Sequence, residues 1–272
     1  MRPNLNTVKQ LIPPLSPHFH KGQHGRLGVV GGSEDYTGAP YFSSTATFRT
    51  GADMCHILCE PSAAVALKSY SPDLIVVPCL QTSTTTPEKS LDKILDQAGN
   101  ILQRLHAVIV GPGLSRDAKM LQCAKGIVQR ARELKLPIVM DADGLYLVQQ
   151  DPEVIKGYPH SILTPNVNEF RRLCEAMNIN TEGGPEGEAA QKLSKALGGP
   201  TIVQKGQRDI IANAKHLFVC SEEGGLKRCG GQGDILSGIL GTWMAWGALY
   251  CKDVWSHDRS ISPDDIPALA AY

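Results

Sequence analysis

The sequence predicts an α/β fold, a three-layer α/β/α sandwich with a mainly parallel central sheet. Short β-branched runs alternate with helical stretches along the chain, which is typical of strands joined by crossover helices. Several runs are apolar throughout rather than at every second position, as expected for strands covered by helices on both faces. Gly or Pro follows most of the runs, so loops begin at the carboxyl ends of the strands, the edge where such sheets bind ligands.

The strand-like runs follow one another in a regular order. Seven of them predict the strands of the sheet: RLGVVGG (26–32), DMCHILC (53–59), DLIVVP (73–78), HAVIVGPG (106–113), PIVMDADG (137–144), SILTPN (161–166) and TIVQKG (201–206). DIIAN and HLFVC come next, and their close spacing predicts a hairpin. The sheet is therefore expected to be parallel up to the run at 201–206 and to end in an antiparallel pair.

Charge and hydropathy narrow the classes of partner. The 272 residues include 27 Lys and Arg and 27 Asp and Glu, so the formal net charge is zero. Nucleic-acid and membrane-surface partners usually require a basic excess, and we expect neither. The most apolar stretch runs from Ile235 to Tyr250, but residues such as Ser237 and Gly238 interrupt it, and it is shorter than the roughly 18 to 20 residues of a membrane span. It predicts a buried helix.

The length of the chain bears on its domain organisation. We expect one domain over residues 1–272, because a single α/β core of this size is common. The chain ends at DDIPALAAY as an apolar helix begins, so we expect a fold truncated at its C-terminus.

The cysteines bear on the cellular compartment. The eight cysteines form no C-x-x-C pair, which favours a reducing compartment. A cytoplasmic setting is predicted; a mitochondrial one stays open for longer forms, since basic residues precede the first acid, Glu34.

The strongest chemical signal is RCGGQGDILSGIL at 228–240. Gly230, Gly231 and Gly233 allow backbone N–H groups to approach an anion, and the N-terminus of the helix that follows adds positive potential. A phosphate fits this place. Asp234 then stands in the first helical turn, where it could take the proton of a hydroxyl that lies beside the phosphate. The alternative is that Asp234 only stabilises the helix end electrostatically.

Two cationic segments are expected near the glycines at 230–233. Lys205 and Gly206 follow the strand TIVQ, and Arg208 and Asp209 come directly after, so this loop either contacts phosphate or adenine or is a turn with solvated charges. Lys227 and Arg228 precede the glycines, and they are either phosphate clamps or a solvated pair. Their position beside the glycines favours the clamp.

LTPNVNEFRRL at 163–173 predicts the start of a helix. Asn166, Glu169 and Arg172 recur every three residues and so share one helix face, which either faces a cleft and binds a sugar or an amide, or faces solvent. Asp141 and Asp143 in VMDADG end an apolar strand, and they either hold a metal or a ligand group or cap the next helix.

The other Gly-rich strand exits admit close approach of a ligand to the backbone. They are GPGLSRD at 111–117 and GGSEDYTGAP at 31–40. No G-x-G-x-x-G and no G-x-x-x-x-G-K-[ST] is present, so the dinucleotide-binding Rossmann fingerprint and the P-loop are both excluded.

Seven collinear motifs together resemble one family. They are KGQHGRLGVVGG, YTGAPYFSS, GPGLSRD, DADGL, LTPNVNEF, VQKGQRDII and CGGQGDILSGIL, and they cover roughly residues 8 to 250. In this order they resemble the eukaryotic ATP-dependent (S)-NAD(P)H-hydrate dehydratases of the ribokinase-like superfamily. The resemblance implies a ribokinase-like fold and a lyase of nicotinamide nucleotide repair, which uses ATP to dehydrate hydrated NADH or NADPH. It also implies Mg²⁺ that enters with ATP, without a metal cage made by the protein.

The resemblance also implies site residues. Asp234 matches the acid beside the reacting hydroxyl, and it also counts as a substrate contact. The other contacts to hydrated NADH or NADPH would be Gly113, Asn166, Val167, Asn168, Glu169, Phe170, Arg171 and Arg172. The ATP contacts would be Lys205, Gly206, Gln207, Arg208, Asp209, Gly224, Gly225, Leu226, Lys227, Arg228, Cys229, Gly230, Gly231, Gln232 and Gly233.

Two other functions compete with this one. A small-molecule kinase of the same superfamily, acting on a vitamin or a sugar, would use the same glycines and acid for a stable phosphorylated product. A truncated, non-catalytic nucleotide-binding form is the second, because the resemblance implies a further helical stretch after KDVWSHDRSISPDDIP (252–267), which looks like a variable insertion. The partners expected are small molecules, and a homo-oligomer is left open.

Overall fold

The computed structural model describes residues 3–272, and across this range one nine-stranded sheet runs through the molecule in the order β3-β2-β1-β4-β5-β6-β7-β8-β9. The strands are β1 (Arg26–Val30), β2 (Met54–Cys59), β3 (Ile75–Pro78), β4 (Ala107–Val110), β5 (Ile138–Met140), β6 (Ser161–Leu163), β7 (Thr201–Gln204), β8 (Asp209–Ala212) and β9 (Leu217–Cys220). All pairings from β3 to β7 are parallel, and β7-β8 and β8-β9 are antiparallel. Each predicted run contains a strand, and the predicted hairpin is confirmed.

Helices connect the strands. They are α1 (Leu5–Lys9), α2 (Gly38–Thr50), α3 (Pro61–Tyr70), α4 (Leu91–Leu102), α5 (Ala118–Glu133), α6 (Asp143–Gln150), α7 (Val167–Ala176), α8 (Glu188–Ala196), α9 (Gln232–Tyr250) and α10 (Ile266–Ala271), with a 3-10 turn at Pro152–Val154. The parallel pairs require such crossovers, because the chain must return to the same edge of the sheet before each new strand.

Alternate residues of the central strands bury into two separate cores. Val110 and Met140 belong to the core under α4 to α8, whereas Ile109 and Val139 belong to the core under α9 and α10. Successive side chains of a strand point to opposite faces, so both faces of the sheet are covered. The predicted three-layer sandwich is confirmed.

The predicted buried helix is α9, and it begins at Gln232, three residues before the apolar stretch. Its small residues allow close packing on α2: Ser43 Oγ and Ser237 Oγ are hydrogen bonded at 3.1 Å, and a Cβ on Gly238 would lie 2.2 Å from the carbonyl oxygen of Ser43. The polar interruptions that argued against a membrane span are thus the contact surface with α2. This packing fixes the start of α9 at the carboxyl edge of the sheet.

The segment at 252–267 packs against the end of α9. The Trp255 indole N–H donates to the carbonyl of Gln10 at 3.1 Å, and Ile261 and Ile266 are buried. All eight cysteines are free thiols. The truncation and the single-domain reading of residues 1–272 stay predictions, and the first two residues lie outside the described range.

Candidate active site

The N-terminus of α9 is the centre of the candidate site. Its N-cap is Gly231, with φ 92° and no side chain to accept a hydrogen bond from the helix. The backbone N–H groups of Gln232, Gly233 and Asp234 belong to the first turn, where no helical carbonyl precedes them as an acceptor. A glycine N-cap therefore leaves a set of N–H donors, at the positive end of a 19-residue helix, available to an anion.

Lys205 lies against this helix end. Its Nζ is 3.2 Å from Asp141 Oδ1, and a Cβ on Gly233 would be 3.3 Å from the same Nζ. Asp141 is only 2% exposed and also accepts a hydrogen bond from Thr164 Oγ1 at 2.7 Å. The alternative that Lys205 belongs to a turn with solvated charges is wrong, because a buried carboxylate holds its ammonium group over the first turn of α9.

The electrostatics around Asp234 favour a role beyond a helix cap. Burial and, to a lesser extent, repulsion from Asp141 raise the pKa of Asp234 to about 6, against the opposing effect of the Lys205 charge. A carboxyl group with a pKa near the working pH suits proton transfer, because it is ionised often enough to accept a proton and basic enough to hold it. A cap on an exposed helix end would keep an ordinary acidic pKa.

The strand-to-helix turn after β5 does not use Asp141 or Asp143 as a cap. The N-cap of α6 is Ala142, at φ 47° in the left-handed region, and it makes no side-chain cap. Asp141 points to Lys205 as described, whereas Asp143 Oδ2 accepts the N–H of Ser115 at 3.0 Å. The helix-cap alternative is therefore wrong for both acids.

A cavity of about 560 Å³ opens beside Asp234. Its walls come from the strand exits after β1, β4 and β5 and from α9, and they are Tyr36, Ala39, Gly113, Ser115, Arg116, Ala142, Asp143 and Asp234. Gly113 has φ 63°, and a Cβ there would lie 2.5 Å from the carbonyl oxygen of Tyr36. The structure therefore brings two predicted substrate contacts, Gly113 and Asp234, into one cavity.

A second cavity, of about 760 Å³, also reaches the start of α9, where Gln232 lines it. It is lined by Gly206, Gln207, Arg208, Ser221, Glu222, Glu223, Gly224, Gly225, Leu226, Lys227, Arg228 and Gln232. Most of the predicted ATP contacts are thus brought together. Residues 221–230 are exposed, and Leu226 is fully so. Arg208 pairs with Glu186, and Asp209 accepts the N–H of Gly206 at 2.8 Å.

The run Asn166–Arg172 divides into parts that face different ways. Asn166 is the N-cap of α7 and forms a capping box: its Oδ1 accepts the N–H of Glu169 at 3.0 Å, and Glu169 Oε2 accepts the N–H of Asn166 at 2.8 Å. Burial raises the pKa of Glu169. Val167 is exposed, and Arg171 pairs with Glu175 on the outer face of the helix.

The remaining members of the run also separate. Asn168 is exposed, with its backbone N–H bound to Asn166. Phe170 was predicted to contact hydrated NADH or NADPH, and this is corrected for its side chain. The side chain is 5% exposed and belongs to the core, so it does not face a ligand. Arg172 lines a narrow crevice with Glu169 and Arg116. The cleft-facing alternative thus fits Glu169 and Arg172, while Asn166 serves to begin the helix.

Five residues that line the Asp234 cavity were not predicted from the sequence: Ala142, which lies between the predicted Asp141 and Asp143, and four others. Tyr36 and Ala39 lie in the motif YTGAP, and Ser115 and Arg116 lie in GPGLSRD, where only the glycines were considered. The available signal was that both motifs are loops at carboxyl ends of parallel strands, so their side chains as well as their glycines lie at the ligand-binding edge.

Between residues 3 and 272 no group of three or more His, Cys, Asp or Glu side chains is arranged to hold a metal ion. Over the same range no helix is both long and apolar enough to cross a membrane.

Proteins of one family resemble this chain over most of its length. Residues 27–262 match the NAD(P)H-hydrate dehydratase family. The chain is 46% identical over 269 residues to the ATP-dependent (S)-NAD(P)H-hydrate dehydratase of Phaeosphaeria nodorum, covering 98% of this chain and 83% of that protein. It is 47% identical to the enzyme of that name from Schizosaccharomyces pombe, covering 98% of this chain and 81% of that protein.

Solved structures share the fold at low sequence identity. A ribokinase-like superfamily protein from Enterococcus faecalis superposes with a TM-score of 0.72 at 22% identity, over 97% of this chain and 92% of that one. The ADP/ATP-dependent NAD(P)H-hydrate dehydratase of Bacillus subtilis, co-crystallised with ATP and Mg²⁺, gives a TM-score of 0.64 at 18% identity, over 98% of this chain and 95% of that one. The predicted ribokinase-like architecture is confirmed.

Proposed function

The chain belongs to the NAD(P)H-hydrate dehydratase family and is an ATP-dependent hydro-lyase, and we propose that it acts at the glycine-capped end of α9. Its reaction converts the S form of hydrated NADH or NADPH back to NADH or NADPH, which is the activity named for relatives at 46% and 47% identity. The observation that supports this location is that the first turn of α9 lines both cavities, through Asp234 in the smaller one and Gln232 in the larger one.

The chemistry explains why ATP is needed. Hydroxide is a poor leaving group, so the ring hydroxyl oxygen attacks the γ-phosphorus of ATP, the bond to the bridging oxygen breaks and ADP leaves. The lone pair of the ring nitrogen then forms a C=N bond as the C–O bond breaks and phosphate departs. Loss of a proton from the adjacent ring carbon restores the C=C bond and neutralises the ring. One molecule of water has then been removed overall, with its oxygen carried away in phosphate.

Asp234 would accept the proton of the ring hydroxyl as the phosphoryl group is transferred. Its raised pKa, near 6, suits it to hold that proton. The backbone N–H groups of Gln232 and Gly233, together with the Lys205 ammonium group, would stabilise charge on the phosphoryl oxygens. Asp141 is a positioning residue in this scheme, because it reaches the site through Lys205 rather than through substrate.

The two substrates would occupy the two cavities. Hydrated NADH or NADPH fits the cavity with Gly113 and Asp234, and ATP fits the cavity lined by the 221–230 loop. Gln232 lines the ATP side and Asp234 the other, two residues apart in the same turn. Mg²⁺ would enter with ATP and neutralise phosphate charge.

The test is recovery of the reduced nicotinamide absorbance when the protein is mixed with Mg-ATP and chemically hydrated NADH. We expect recovery that requires ATP and that falls about 10²- to 10⁴-fold in Asp234→Asn, the range of a lost general base. Asp96→Asn, an exposed acid of α4, is the matched control and should keep full activity. A folded protein that instead yields a stable phosphorylated product from another alcohol would support the kinase hypothesis and contradict this one.

A further inference from the structure

Arg116 lies where the Asp234 cavity meets the narrow crevice beside α7. Its side chain lines both spaces. The Nε atom donates to Asp143 Oδ1 at 3.2 Å, and the guanidinium carbon lies 4.4 Å from the centre of the Tyr146 ring. An ion pair at one end and an aromatic face beside the group fix the orientation of the guanidinium plane.

Asp143 holds the loop that carries Arg116 through two hydrogen bonds. Asp143 accepts the backbone N–H of Ser115 through Oδ2 and the Arg116 Nε–H through Oδ1, so both of its oxygens are used by one loop. Ser115 and Ala142 both have positive φ, at 73° and 47°, a conformation that costs energy for residues other than glycine and that concentrates at functional sites. The pairing of the two turns therefore holds Arg116 in a defined place at the mouth of the cavity.

The outer half of the guanidinium group is available to a ligand. Its two terminal nitrogens make no hydrogen bond to residues 3–272, which leaves four N–H donors in a planar fork. Among the described residues that line the Asp234 cavity, Arg116 is the one cation, beside the acids Asp143 and Asp234. Asp143 is already paired, so a dianionic ligand in this cavity meets one positive group, and that group has the geometry to bind phosphate in a bidentate manner.

We propose that Arg116 binds a phosphate group of the dinucleotide substrate and so determines how tightly hydrated NADH and NADPH bind. This inference rests on the proposed function for the identity of the substrate. Hydrated NADH offers the pyrophosphate, and hydrated NADPH offers the pyrophosphate and the 2′-phosphate. The chemistry of recognition is the same for both groups, and the two can be separated by experiment.

The experiment measures binding and turnover for the wild-type protein and for Arg116→Gln. Titration of the products NADH and NADPH, followed by their fluorescence, gives Kd without any need for catalysis. We expect Kd to rise about tenfold or more in Arg116→Gln, as expected for the loss of a charge-assisted hydrogen bond. In turnover, KM for the hydrate should rise by a similar factor while kcat changes less. Arg130→Gln removes an exposed arginine that pairs with Glu133 on α5, and it should change neither value.

The outcomes separate the two phosphates and the competing structural role. Equal weakening of NADH and NADPH assigns the pyrophosphate, and weakening of NADPH alone assigns the 2′-phosphate; each supports the proposal. Arg116→Lys should recover part of the affinity, since it keeps the charge but not the fork. An unchanged Kd for both ligands would overturn the proposal, and a lowered Tm in the same variant would leave Arg116 as a brace for Asp143. Failure of wild-type turnover with intact binding would instead contradict the proposed function.

Discussion

The pH dependence of the reaction follows from the surroundings of Asp234. With a pKa of about 6, Asp234 is half ionised near pH 6 and only about 9% ionised at pH 5, whereas a carboxyl with an ordinary pKa of 3.8 would be about 94% ionised there. If ionised Asp234 is the proton acceptor, kcat/KM falls about tenfold from its plateau to pH 5. The assay is the initial rate of NADH recovery at low hydrate concentration and saturating Mg-ATP between pH 5 and pH 8.

The variant Asp141→Asn tests the physical cause of that acidic limb. Removing the negative charge of Asp141 ends its repulsion of ionised Asp234 and leaves the attraction by Lys205, so the limb moves to lower pH. The asparagine carbonyl can still accept the hydrogen bonds from Thr164 and Lys205. Because the pKa of Glu169 is also raised, Glu169→Gln is the control: glutamine keeps the capping box, and the limb should stay in place.

Two results would refute this reasoning. A wild-type profile that stays flat to pH 5 would mean that the rate does not depend on ionised Asp234. A limb that disappears in Glu169→Gln but not in Asp141→Asn would assign the titration to Glu169 instead.

Two predictions concern stability. Gly238→Ala places a Cβ 2.2 Å from the Ser43 carbonyl oxygen and should destabilise the protein by about 1 to 3 kcal/mol, whereas Gly99→Ala, with open space around it in α4, should stabilise it by about 0.5 to 1 kcal/mol. Urea denaturation measures both, and equal effects would contradict the packing argument. Burial lowers the pKa of His106 to about 4, with repulsion from Arg26 and Lys252 in the same direction. Folding favours the neutral form of His106. Its contribution to the free energy of unfolding is therefore complete above pH 6.5, and up to about 3 kcal/mol is lost as the pH drops toward 4. In His106→Gln this part of the acid-induced loss should vanish; an unchanged pH dependence would contradict it.

Local pattern was sufficient for the architecture. The runs at 106–113 and 137–144 are apolar on both faces, and that property alone distinguishes a buried parallel strand from a half-exposed one. The order of the strands in the sheet could not be predicted from the local pattern, because β1 pairs with β4, a strand far away in the sequence. The prediction that Asp234 lies in the first turn of the helix is confirmed, although the apolar stretch begins only at Ile235.

The candidate site was predictable where one segment carries it and not where two segments meet. Asp234 and its glycines are contiguous, so their role could be read from the sequence. Lys205 and Asp141 are 64 residues apart, and each was given a local alternative, a turn or a cap, that their ion pair rules out. The Asn-x-x-Glu spacing at Asn166 and Glu169 is a capping-box signature, and it was the readable signal that these two residues begin a helix.

The glycines around α9 are of two kinds, and the difference explains how one turn can serve two cavities. A Cβ on Gly231 would meet the Phe42 ring at 3.1 Å and one on Gly233 would meet Lys205 Nζ at 3.3 Å, so these positions are closely packed. Gly230 and the loop glycines Gly224 and Gly225 have nothing within 4 Å of a Cβ. The packed pair fixes Asp234 and the N–H donors, while Gly224, Gly225 and Gly230 have open space around them beside the cavity proposed for ATP. The sequence alone does not distinguish the two kinds of glycine. Only the packing separates the glycines that fix the first turn of α9 from those that would adapt to a nucleotide.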